Sequence, residues 1–139
     1  SDFLDSFDMH LLYTGETRKS TNILKGVNVD KISGIISTVN DMHHAIAKND
    51  VSGFMSVLKE GWEMKKSSSK LILNNRLAEI DDIISKNKGV LAHKLCGAGG
   101  GGHFVLFTER NTSLDFLRNF QKWVYKVNLT TDGLRSSFI

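Results

Sequence analysis

The stretch Lys94–Phe107, KLCGAGGGGHFVLF, puts five glycines among residues 97–102 and sets them between two apolar runs. Ordering a glycine costs roughly 0.5–1 kcal/mol more than ordering an alanine, so five in a fixed loop cost about 2.5–5 kcal/mol against a total stability of about 5–15. A rigid loop that costly has a use, whereas a floppy one is a linker. The flanking runs, Val90–Leu95 and His103–Thr108, are rich in β-formers, so the glycines connect two neighbouring strands.

Working outward, Leu73, Leu77, Ile80 and Ile84 recur every three or four residues and predict a helix to about Lys88, with Gly89 as its stop signal. Val51, Phe54, Met55, Leu58 and Trp62 predict a helix before it, and Val39, Met42 and Ile46 one earlier still. Asn49-Asp50 reads as the break and new cap between these two, and Lys65–Lys70 as a polar loop. Thr17 or Ser20 would cap the start of the helical region. Met9–Tyr13 (MHLLY) reads as a mostly buried strand ended by Thr14-Gly15.

Beyond the glycines, Thr112 or Ser113 would cap a fourth helix whose inner face is Leu114, Leu117, Phe120 and Val124. Tyr125–Thr131 alternates like a strand, Asp132-Gly133 is a hairpin-type turn, and a terminal strand follows from Leu134. The order strand, helices, strand, strand, helix, strand is that of an α+β, ferredoxin-like split β-α-β sandwich with extra helices in the first crossover.

With 139 residues and 15.5 kDa, the chain has the length of one domain able to bury a core. Its net charge of +3, from 18 basic and 15 acidic residues, is too balanced to argue for nucleic acid. The single cysteine, Cys96, excludes an internal disulfide and favours a reducing, cytoplasmic setting. No apolar segment approaches the roughly 18–20 residues of a membrane span, so no membrane role is expected. Beside the glycines, Cys96 reads as a small buried apolar residue rather than a nucleophile. The neighbours His43 and His44 cannot both face one metal from a helix, and the five histidines show no ligand spacing. Asp81-Asp82 reads as a solvated helix face.

Gly97–Gly102 satisfies G-x-G-x-x-G, but a dinucleotide fingerprint needs a helix to begin at the loop, and here a strand follows. A phosphate loop of the Walker type fails for the same reason, and no Gly-Lys-Ser/Thr follows. What remains is a glycine-lined connection whose freed amides can form a concave nest for an anion, or a flexible hairpin loop with no ligand.

KLCGAGGGG followed by an apolar strand resembles the third conserved motif of the GHMP small-molecule kinases. It resembles in particular the sugar-kinase branch that includes D-glycero-D-manno-heptose 7-phosphate kinase, in which a strand ending in Tyr-Thr-Gly-x-x-Arg-x-Ser opens the C-terminal half. This chain has Tyr13-Thr14-Gly15-Glu16-Thr17-Arg18-Lys19-Ser20, with helices between the two motifs. The resemblance covers residues 9–139 as a C-terminal-type domain, with residues 1–8 as a linker or the remnant of a preceding domain. It departs at His103, where the branch usually has an apolar residue.

The resemblance implies ATP and Mg2+ as cofactors of the intact enzyme, held by an N-terminal domain that also carries the catalytic acid. No catalytic residue is therefore expected in this chain, which alone would be inactive and bind no cofactor. The implied partners are that N-terminal domain, in cis or in trans, and a sugar or sugar phosphate. The phosphate- or substrate-binding residues it implies are Gly97, Ala98, Gly99, Gly100, Gly101 and Gly102, with the amides of Gly99–Gly102 as donors. Lys94, on the strand face opposite Leu91, His93 and Leu95, would reach an anion or be merely a solvated lysine. Arg18 would grip a phosphate through two parallel bonds or form a surface salt bridge. Thr14 and Ser20 are weaker candidates of the same kind. A free-standing module binding a small anion or a protein partner through the glycines stays open as the other reading.

Overall fold

The computed structural model describes residues 3–15, 28–68, 72–96, 102–120, 124–129 and 136–138. Its centre is the run after the glycines: β3 (His103–Thr108) has every side chain buried. The other strands are β1 (Asp8–Tyr13), β2 (Val90–Cys96), β4 (Val124–Leu129) and β5 (Ser136–Phe138). They form one antiparallel sheet in the order β2-β3-β1-β4-β5. Because β3 lies between β1 and β2 and runs against both, those two are parallel but separated, which is the split β-α-β arrangement.

Among the described residues, three helices lie in the crossover from β1 to β2: α1 (Asn28–Lys48), α2 (Val51–Ser68) and α3 (Asn75–Lys86). One sheet face, carrying Leu11, Ala92, Val105 and Phe107, packs on Met42 of α1 and on Phe54 and Met55 of α2. The other, carrying Leu12, Leu95, Phe104 and Leu106, packs on Trp62 of α2 and on Leu77, Ile80 and Ile84 of α3. Covering both faces explains why Phe104–Phe107 lacks the polar–apolar alternation of a half-exposed strand. Phe107 meets the edges of Phe7 and Phe54 at centroid distances of 5.5 and 5.4 Å. Phe3, Leu4 and Phe7, from the stretch read as linker or remnant, are buried in that same cluster.

The break at Asn49-Asp50 is as expected: Asp50 Oδ1 accepts from the amide of Gly53 at 2.9 Å, satisfying a free donor of the first turn of α2. Three expectations change. Lys65–Ser68 is helical, with Lys66 turned to Asp81 at 2.8 Å and the hydroxyls of Ser67 and Ser68 donating to the Glu63 and Lys65 carbonyls at 3.0 and 2.6 Å. The fourth helix is a six-residue 3-10 segment, Asp115–Phe120. Leu117 and Phe120, three apart, share a face in that tighter winding and pack on the second cluster, while Val124 pairs with Leu12 in the sheet. Finally, a register shift between Val90 and Ala92 sends Leu91 to the first cluster, apart from Leu95. Ser113 Oγ accepts from the amide of Asp115, the first residue of the 3-10 segment, at 3.3 Å, and so stands one residue before the cap position. Thr17, Ser20 and the Asp132-Gly133 turn lie outside the described residues.

The crossover closes at Gly89, beyond the end of α3. Its carbonyl accepts from the Glu109 amide at 2.8 Å. A β-carbon there would sit 2.6 Å from Thr112 Cγ2 and 2.8 Å from its Oγ1. Thr112 cannot simply rotate away, because its hydroxyl donates to the Glu109 carbonyl at 2.7 Å. Gly89→Ala is therefore expected to lose about 1–3 kcal/mol of stability in urea denaturation. An unchanged midpoint would mean the turn yields freely.

Candidate functional site

At one end of the sheet Cys96, His103 and Tyr13 stand in register on three adjacent strands. The glycine connection spans the gap from Cys96 to His103. His103 is buried, and its ring lies 4.9 Å from that of Tyr13. The residue that departs from the usual pattern thus fills a packed position in the sheet. Cys96 is also buried, with burial raising its thiol pKa and Thr38 Oγ1 4.0 Å from its sulfur. It is the small apolar residue expected.

Gly102 is the glycine of the loop that the structure describes. Its φ of 114° belongs to the region that side chains rarely adopt. Its carbonyl accepts two bonds from Thr14, one from the amide at 3.2 Å and one from Oγ1 at 2.9 Å. Thr14 is itself buried. Two predicted residues, far apart in sequence, are thereby brought together. Lys94 is half-buried on β2, on the face of Ala92 and Cys96, three residues before Gly97. Gly97, Ala98, Gly99, Gly100, Gly101, Arg18 and Ser20 lie outside the described residues.

Sequence reasoning misplaced Asp81. It is buried, not solvated. Its Oδ1 accepts from Trp62 Nε1 at 2.7 Å and lies 2.7 Å from His93 Nε2, and its Oδ2 accepts from Lys66 Nζ at 2.8 Å. Burial alone pushes the carboxyl pKa up, but the bonds from His93, Lys66 and Trp62 outweigh it and hold the group at about 2. Lys66 is held above its ordinary value: burial works against its charge, and the bonds to Asp81 and Glu63 overcome it. The signal was present in the spacing. Asp81 is four residues after Leu77 and three before Ile84, within the apolar stripe, whereas Asp82 is exposed and pairs with Lys86 at 2.8 Å. A cavity of about 130 Å3 lies beside this cluster, against the first residues of β2 and away from the glycine end.

The profile of the family "GHMP kinases C terminal" matches residues 42–126. The chain belongs to that family. It is similar to the D-glycero-alpha-D-manno-heptose 7-phosphate kinase of Campylobacter jejuni, being 29% identical over 98 residues that cover 68% of this chain and 29% of that kinase. The chain thus spans less than a third of the length of that relative. A crystal structure of mevalonate kinase shares the fold, with a TM-score of 0.50 and 20% identity over 90% of this chain and 40% of that one.

The Asp81 cluster makes a prediction with a sign. A carboxyl held at about 2 in the fold, against an ordinary 3.8, contributes stability in full above about pH 4 and loses it as pH falls towards 2. Asp81→Asn should cost about 3 kcal/mol near neutral pH, because Lys66 and His93 lose their charged partner. Urea melts of both proteins should converge between about pH 4 and 2. A constant gap across that window would show that charge is not the cause.

Proposed function

We propose that this chain is the C-terminal, substrate-side domain of a sugar kinase of the heptose 7-phosphate type. In this reading the intact enzyme moves the γ-phosphate of ATP to a hydroxyl of a sugar or sugar phosphate. The observation that carries the reading is membership of the GHMP kinase C-terminal family, joined to the 98-residue likeness to a heptose 7-phosphate kinase. Phosphoryl transfer depends mostly on positioning and on neutralising charge at the moving phosphoryl group. In this reading the amides of Gly99–Gly102 supply N–H donors to that charge, Lys94 and Arg18 supply cations, and Thr14 fixes the end of the loop.

Among the described residues, no group of three or more His, Cys, Asp or Glu side chains comes together that could hold a metal. Mg2+, which neutralises charge on the nucleotide phosphates, is assigned to the N-terminal partner domain together with ATP and the catalytic acid. On this assignment the chain alone is inactive. No described helix is long and apolar enough to cross a membrane.

A second reading is a free-standing module that binds a small anion or a partner through the glycines. It is favoured by the covering of both sheet faces: among the described residues the exposed large hydrophobics are Val57 and Met64, both on α2. One assay separates the two. The native gene product and this chain alone are each incubated with ATP, Mg2+ and a panel of sugars and sugar phosphates, and products are followed by phosphorus NMR. Phosphorylation by a longer native product, none by the chain alone, and about a tenfold loss of kcat/KM in Gly102→Ala are expected. A native product no larger than this chain that transfers no phosphate, even with other proteins of its cell added, would leave the module reading.

A further inference from the structure

The proposed anion site rests on the glycine connection, and one residue outside both sequence motifs reaches its edge. Arg76 lies in the first turn of α3 and is exposed at its surface. Its Nη1 donates to the main-chain carbonyl of Thr14. The guanidinium also overlies Gly15, whose φ is 75° and whose added β-carbon would stand 3.5 Å from Nη1. Thr14 in turn donates twice to the Gly102 carbonyl. An unbroken chain of hydrogen bonds therefore runs from α3 through the end of β1 to the last glycine before β3.

A cation in the first turn opposes the positive end of the helix dipole, while arginine is a good helix former, so the helix itself does not call for this residue. The bond to Thr14 does need a long side chain with an N–H donor at its end. The amide and hydroxyl of Thr14 donate to Gly102, and its carbonyl accepts from Arg76, so one residue links the helix to the glycine.

We propose that Arg76 is a positioning residue for the glycine connection: it anchors Thr14 and thereby sets where residue 102 enters the sheet. This rests on the reading of that connection as a phosphate site, and adds to it the helix that holds the site in place. Arg76 acts through Thr14 and is assigned no contact with a ligand.

The test uses amide exchange and titration with inorganic tripolyphosphate, both by NMR, on the wild-type chain, Arg76→Ala, Arg76→Lys and Asn74→Ala. The last is a control: Asn74 caps α3 by accepting from the Leu77 amide at 2.8 Å, so its loss weakens the same helix end without touching Thr14. Arg76→Ala should lower the exchange protection of the Thr14 amide about tenfold and weaken tripolyphosphate binding several-fold. Arg76→Lys should restore part of both, and Asn74→Ala should change the Thr14 amide no more than it changes the rest of the sheet. Unchanged Thr14 protection in Arg76→Ala overturns the proposal, as does an equal loss in Asn74→Ala. If the wild-type chain does not respond to tripolyphosphate, the phosphate reading fails. Thr14 protection then decides the anchoring role by itself.

Discussion

Three elements of this fold meet on one carboxylate. Asp81 brings α3 to Trp62 and Lys66 of α2 and to His93 of β2, so the helix that covers one sheet face, the helix that contributes to both and the edge strand share a single acceptor pair. The geometry leaves little freedom. Each oxygen is engaged at 2.7–2.8 Å, and replacing the acid removes a partner from two groups that are charged or can become so. The apolar contacts of Leu77, Ile80 and Ile84 drive α3 onto the sheet, while the carboxylate determines the rotation and register at which it lands.

From that registration follows the far end of α3. With Asp81 seated against β2, the first turn of the helix comes to lie beside the close of β1, where Arg76 meets Thr14. The glycine connection is thus bounded by β2 and its Asp81 contact on one side and by the Thr14–Gly102 bonds on the other. Both stems thus lead back to one short helix, through Asp81 near its middle and Arg76 in its first turn. This suits a loop of glycines, which have no side chains with which to hold themselves in place.

Much of this was legible in the residues alone. The bounds of β3 match the run His103–Thr108, and the α1–α2 break falls at Asn49-Asp50, because both signals are local: a β-rich apolar run and an Asp cap. The split β-α-β order followed from counting elements. What was not legible depended on tertiary context. Lys65–Ser68 looks like a loop until Lys66 has Asp81 to face, and Leu114–Val124 looks like one helix until Leu12 claims Val124 for the sheet. In the site, Thr14 and Gly102 were each singled out, but nothing in their spacing shows that they bond. Arg76 stands in neither motif, so only the packing of α3 could reveal it.

The strand order also governs how the chain can be assembled. β1 comes before both of the strands it pairs with, since β3 begins at His103 and β4 at Val124. Contacts that distant in sequence close slowly, since the loop entropy is lost before any pairing compensates for it. During synthesis the apolar segment MHLLY must therefore wait for both of these strands until Val124 and the residues after it have emerged. Meanwhile the α2–α3–β2 region can already condense around Asp81. A ribosome that stalls before β3 would release a chain whose β1 lacks both β3 and β4, an open template for pairing with another copy.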